Sequence, residues 1–138
     1  MGAVTEAIYD TLAGDATLTA LLATYGGGEP AIFTTDPAPG DAVLPYIVSA
    51  GEVSQVPWDT KTTRGRVAIR DVRCYTDATG SAVMVETIAE RVRVLLHRQT
   101  LAISDFECVI ADCSGPVAAD GQDAYGRIVS VRLTIEEV

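Results

Sequence analysis

Between Val85 and Leu96 the apolar positions recur at helical period. Val85, Ile88, Ala89, Val92, Leu95 and Leu96 stand at i, i+3, i+4, i+7, i+10 and i+11, which predicts one apolar stripe along an amphipathic helix. Glu86, Glu90, Arg93 and Arg98 fall on the other side. A strand-like run from Arg66 precedes this helix, separated from it by a turn at Asp77-Ala78-Thr79-Gly80. Ser81 or Thr79 is expected to cap the helix start, since a side-chain oxygen there accepts an orphan backbone N–H. The last eleven residues show the other period. Val129, Val131, Leu133 and Ile135 alternate with Ser130, Arg132, Thr134 and Glu136, a half-buried strand. Phe106 to Cys113 reads as a strand with Phe106, Cys108 and Ile110 inward, and the apolar Tyr46 to Val53 as another. In the strand that begins at Arg66, Val67 and Ile69 share one parity while Val72 and Cys74 share the other. That change predicts a bulge near Arg70-Asp71 or burial on both faces.

Upstream, Val4, Ile8 and Leu12 mark an N-terminal helix ended by Gly14. Asp15 then caps a short second helix carrying Leu18, Leu21, Leu22 and Tyr25, stopped by Gly26-Gly27-Gly28. Residues 29 to 45 hold four of the six prolines and predict an irregular crossing around Ala31-Ile32-Phe33. Residues 54–65 and 114–126 are polar and read as loops. The expected architecture is one α+β domain over residues 1–138 in the order α(α)-β-β-α-β-β. It is a four-stranded, mainly antiparallel sheet with helices packed on one face.

Composition narrows the function classes. No apolar run approaches the ~20 residues of a membrane span, and MGAVTEAIYD lacks the basic start of a secretory signal. Glu6 stands where a myristoylation motif needs Ser or Thr. Three cysteines, an odd number, predict reduced thiols in a cytosolic setting. The net charge of −9 is unevenly placed. Residues 1–60 carry eight acids and no Lys or Arg; residues 61–98 carry eight basic residues against four acids; residues 99–138 carry seven acids and two arginines. Most of such a surface repels phosphates, so general nucleic-acid binding is excluded, while a basic band remains free to pair with acidic flanks or a neighbouring copy.

Candidate chemistry is sparse. The triple glycine lacks the Gly-Lys-Ser/Thr of a phosphate loop. His97 is the single histidine, and Cys108 and Cys113, five apart, are expected on opposite strand faces, unlike paired zinc ligands. Cys74 and Cys108 sit at inward positions where cysteine packs as a small hydrophobe, and His97 in a last helical turn complements the macrodipole. Asp120/Asp123 and Glu136/Glu137 read as solvated charge. No catalytic, cofactor-binding or metal-binding residue is assigned. Trp58, the single tryptophan, is the notable side chain, set in a polar loop with Asp59, Lys61 and Arg64. It is either a lid on its own core or an interface anchor, since Trp and Arg concentrate at interface hot spots. Tyr125 holds a similar place in the second loop.

The segments IYDTLAGDATLTALLA, PAPGDAVLPYIVSAGE and VAIRDVRCYTDATGSAVMVETIAERVRVLL, in that order, resemble the tail-completion or tail-terminator proteins of long-tailed phages and gene transfer agents. The most specific parts are Leu44-Pro45-Tyr46 leading into the first long strand and the strand-turn-helix spacing. Members often have a histidine leading into the second strand, where this chain has Arg64-Gly65-Arg66. The resemblance implies a non-enzymatic α+β virion subunit, assembled in the host cytoplasm and placed at the head-proximal end of the tail. It implies self-association into a ring, typically of six copies, that caps the tail tube and joins it to the head-tail connector. DNA passes through such a ring without specific binding. The interface residues expected on this reading are Trp58, Asp59, Lys61, Arg64, Arg66, Arg93, Arg98 and Tyr125. Another connector, adaptor or minor capsid protein stays open as an alternative class, and a small enzyme as a third, to be judged by whether Cys74 or Cys108 shares a pocket with His97.

Overall fold

The computed structural model describes residues 1–138. Three helices, α1 (Gly2–Ala13), α2 (Ala16–Thr19) and α3 (Val83–Leu96), are interspersed with eight strands. The strands are β1 (Thr24–Tyr25), β2 (Glu29–Pro30), β3 (Ile32–Phe33), β4 (Tyr46–Val48), β5 (Glu52–Pro57), β6 (Gly65–Asp77), β7 (Phe106–Ala118) and β8 (Ala124–Glu137). The main sheet has six strands where four were predicted, in the order β3-β4-β6-β8-β7, with β5 also paired to β6. Only β3 and β4 run parallel; the other pairings are antiparallel.

One of the two extra strands comes from a division of the run that begins at Tyr46. The apolar run from Tyr46 is divided at Gly51, whose φ of +35° turns the chain. β4 then pairs with Arg73–Tyr75, and β5 pairs with Arg66–Arg70 farther along the same strand. The predicted polar loops are largely hairpin arms. β5 runs on to Pro57 and β7 to Ala118, and nearly all of these arm residues are exposed, so they carry no apolar alternation to reveal them. β1 and β2 form a separate ribbon turned by Gly26, Gly27 and Gly28 at φ +47°, +26° and +90°. The triple glycine thus turns a ribbon instead of stopping a helix. The second helix ends earlier, at Thr19, and Tyr25 lies outside it.

β6 and β8 pair without interruption from Gly65↔Glu136 to Asp77↔Ala124, so no bulge interrupts Arg70-Asp71. The change of parity reflects the other expectation, burial on both faces. Ala68, Arg70, Val72 and Cys74 face the helices, all fully buried, while Val67 lies buried on the opposite face. An arginine in an inward position hid the alternation. On β7 the register slips between Cys108 and Ile110, leaving Val109 exposed. Ile110 moves to the outer face, and Ala111 and Cys113 turn inward with Cys108. The slip puts both cysteines on one face, contrary to their odd spacing.

α1 and α3 cover the inner face. Val85, Ile88, Ala89, Val92 and Leu96 of the α3 stripe are buried against Val72, Val129, Val131, Leu133 and Ile135 of the sheet, and Val4, Ile8 and Leu12 of α1 join the same core. Each such Val, Leu or Ile contributes about 1.5–3 kcal/mol relative to exposure. Asp15 caps α2 as predicted, its Oδ2 accepting from the Leu18 N–H at 2.9 Å. α3 has no side-chain cap on its N-cap residue Ala82. Ser81 Oγ accepts only from Val83 N–H at 3.4 Å, and the Thr79 hydroxyl turns to the Ser81 carbonyl.

Candidate interaction surfaces at the two ends of the sheet

Because β6 and β8 run antiparallel over their whole length, the β5–β6 and β7–β8 hairpins turn at opposite ends of the sheet. At the first end the chain is held tightly. Trp58 N–H donates to the Gly65 carbonyl at 2.9 Å, Thr60 N–H to the Thr63 carbonyl at 2.9 Å, and Gly65 N–H to Asp59 Oδ1 at 3.1 Å. The Thr60 and Thr63 hydroxyls meet at 2.6 Å. Gly65 is required by space: a Cβ there would lie 2.5 Å from the Ile135 carbonyl, 2.8 Å from that of Trp58 and 3.0 Å from Trp58 Cε3. The Trp58 ring packs against Gly65, and 39% of the residue remains exposed beside Val56.

The basic block divides into used and free charges. Arg70 is buried with Glu52, Arg91 pairs with Asp15 through two 2.8 Å contacts, Arg73 lies 3.9 Å from Asp71, and Arg98 lies 3.2 Å from Asp112. The Arg91 contact holds the Asp15 carboxyl below its usual pKa. Lys61, Arg64, Arg66 and Arg93 form no ion pair. The Arg66 guanidinium lies over the Phe106 ring at 5.4 Å, a cation–π contact that holds it in place with its charge unneutralised. Arg64, Arg66, Asp59, Gln55 and Glu137 line a shallow cleft of about 400 Å³ at this end.

Three sequence-predicted interface residues lie elsewhere. Arg98 is occupied twice, its side chain by Asp112 and its backbone N–H by the Ala111 carbonyl at 2.7 Å. Arg93 is half-buried in the last turn of α3. Tyr125 is half-buried at the opposite end, its hydroxyl accepting from Gly80 N–H at 2.9 Å and tying β8 to the turn before α3. Around it lie Asp77, Asp120 and Asp123. Asp120 Oδ1 accepts from Arg127 at 2.7 Å and from Gly126 N–H at 3.1 Å. Burial works against the charge on Arg127, but its bonds to Glu86 and Asp120 outweigh burial and raise its pKa. Asp77 and Asp123 have no ion pair.

The thiols are placed as packing groups. Burial pushes Cys74 up to about 12 and Cys113 up to about 11. His97 Nδ1 accepts from the backbone N–H of Cys113 at 2.9 Å, so that nitrogen serves the edge of β7. No three His, Cys, Asp or Glu side chains gather in a metal-ligand group. Periodicity did not reveal the cluster around Arg70. The buried guanidinium donates to Thr5 Oγ1 at 2.8 Å, Glu52 Oε1 at 3.2 Å and the Ser49 carbonyl at 3.2 Å, and the Met1 ammonium reaches both Glu52 oxygens at 2.8 Å. The one available signal was an arginine at an inward strand position.

These side chains lie at the two ends of a helix-backed sheet. Residues 6–136 match the family described as tail completion protein gp17, and the chain belongs to that family of phage tail proteins. Its fold is similar to that of a chain from the virion of a native gene transfer agent particle, with a TM-score of 0.82 and 23% identity over 98% of this chain and 96% of that one. No curated protein matches the sequence.

Proposed function

We propose that the protein is a ring-forming virion component that caps the finished tail tube at its head-proximal end and joins the tail to the head-tail connector. The observation that carries this reading is family membership across nearly the whole chain, residues 6–136. The similarity in fold to a chain of an assembled gene transfer agent virion supports it. A cap of this kind works by shape and adhesion, stopping tube growth and offering a docking face, and needs no catalysis. Six copies is the expected number.

Trp58, Asp59, Lys61, Arg64 and Arg66 share one rigid end and form the principal contact surface. Arg93 and Arg98 add peripheral charge away from this end, Arg98 exposed in its pair with Asp112, and the Tyr125 hydroxyl is engaged by Gly80. The remaining acidic surface suits a bore that DNA must cross without adhering. Electron microscopy of the purified full chain tests the reading. Six-fold rings with an open centre are expected; a strictly monomeric protein, or an open filament of copies, would contradict it.

A further inference from the structure

We propose that the connection between α3 and β7 guards the β7 edge against strands from other chains. His97 and Arg98 do this by occupying outward hydrogen-bonding groups of β7. That strand is the last on its side of the sheet and thirteen residues long, against six in β5 and two in β3 on the other side. A long edge is a template for another strand, and Val109 (48% exposed) and Val117 (62%) make this one apolar as well.

The outward groups are met from within the chain. Ala111 and Cys113, two residues apart, point their backbone groups the same way, away from β8. The Ala111 carbonyl accepts from Arg98 N–H at 2.7 Å, and Cys113 N–H donates to His97 Nδ1 at 2.9 Å. At the start of the strand Phe106 N–H donates to the Ile103 carbonyl at 3.2 Å. Toward its far end Pro116 has no N–H to offer. The connection itself is fixed in place. Leu101 and Ile103 are buried in the core cluster. Arg98 and Asp105, near its two ends, are the only non-glycine residues with positive φ, +59° and +67°. Such a backbone persists only where its surroundings impose it.

Growth of a sheet from copy to copy needs both of its sides, β7 of one copy against β3 or β5 of the next. Closing β7 therefore blocks an open-ended sheet polymer, whatever the other side does. It blocks β7–β7 pairing equally. This role goes beyond the capping reading and does not rest on it. It gives the single histidine a place in the fold's behaviour, as the acceptor that closes the middle of the edge.

Full-length His97→Leu and His97→Asn separate the acceptor from the bulk of the ring. Leucine has no acceptor, while asparagine offers Oδ1 in place of Nδ1. Hydrogen exchange is followed at the Cys113 amide and association by sedimentation velocity over a concentration series. Circular dichroism and thermal melts check folding, and His97→Ala replaces the leucine variant if that one does not fold. In His97→Leu the Cys113 amide should exchange about fivefold faster or more, as expected for one lost hydrogen bond. Species larger than any that wild type forms should appear as its concentration rises, while His97→Asn matches wild type in both readouts. A folded His97→Leu that matches wild type in exchange or in association overturns the guard. So does a His97→Asn that associates as the leucine variant does. Each variant is compared with whatever wild type forms, so these outcomes leave the ring reading untouched.

Discussion

Replacing Glu52 with Gln removes the one carboxylate beside a fully buried guanidinium. Arg70 has no exposed surface, and its three hydrogen bonds go to Thr5, Glu52 and the Ser49 carbonyl, with Nε unpartnered. Only Glu52 compensates its charge. Stripping one member from a buried pair leaves an uncompensated charge and costs about 3–5 kcal/mol. Arg70→Met is milder, because the Glu52 left behind keeps the Met1 ammonium at 2.8 Å and its side chain is 13% exposed. Its cost is about 1–3 kcal/mol, set by the lost hydrogen bonds. The double variant Glu52→Gln/Arg70→Met should cost no more than Glu52→Gln alone, since the stranded charge is gone; a non-additivity of about 2 kcal/mol is expected. Urea unfolding monitored by circular dichroism reads these values. With a slope of about 1–3 kcal/mol per molar urea, Glu52→Gln lowers the midpoint by at least about 1 M. A Glu52→Gln midpoint within error of wild type, or a double variant whose loss equals the two singles added, would refute this account of the cluster.

Stability should also fall in acid. Burial works to raise the Glu52 carboxyl, but the Met1 ammonium and Arg70 outweigh it and hold its pKa below the usual value, and Asp15 is held low by Arg91. A carboxyl lowered in the folded state gives stability that is present above its unfolded pKa and is lost as pH falls through the folded one. Melts on the acidic side should therefore decline more steeply for wild type than for Glu52→Gln. Asp15→Ala loses both the α2 cap and the bidentate contact to Arg91, and its melting temperature should drop by several degrees. Gly65→Ala has no room for its methyl against two carbonyls and should destabilise by about 1–3 kcal/mol or more in urea titration, loosening the Trp58 end and shifting tryptophan fluorescence. Cys74 and Cys113, raised to about 12 and about 11, should resist a thiol reagent at neutral pH in the folded protein and react once urea unfolds it; rapid native reaction would contradict their placement.

Helices and the last strand were legible because each buries one continuous face. The α3 stripe and the Val129–Ile135 alternation are core positions, and periodicity records that directly. The hairpin arms were not, because Val53–Pro57 and much of Ser114–Ala118 are exposed on both sides and are strand by backbone pairing alone. Single-residue events misled the parity: Arg70 inward on β6, and the slip at Val109 that turns Ile110 out and Cys113 in. The basic block was visible as composition, but which of its charges are free depends on Asp15, Glu52 and Asp112, whose proximity only the fold creates. Trp58 lies partly exposed at a charged end of the sheet. Tyr125, in a similar local sequence, differs because Gly80 meets its hydroxyl across the fold.

The proposed placement at the head-proximal end of the tail is tested most directly by labelling. Val138 is 95% exposed, so a gold-binding tag can be attached there and tagged particles viewed by electron microscopy. One focus of label per particle at the junction of head and tail is predicted. Label spread along the tail, at its distal tip or over the head would contradict the proposed role.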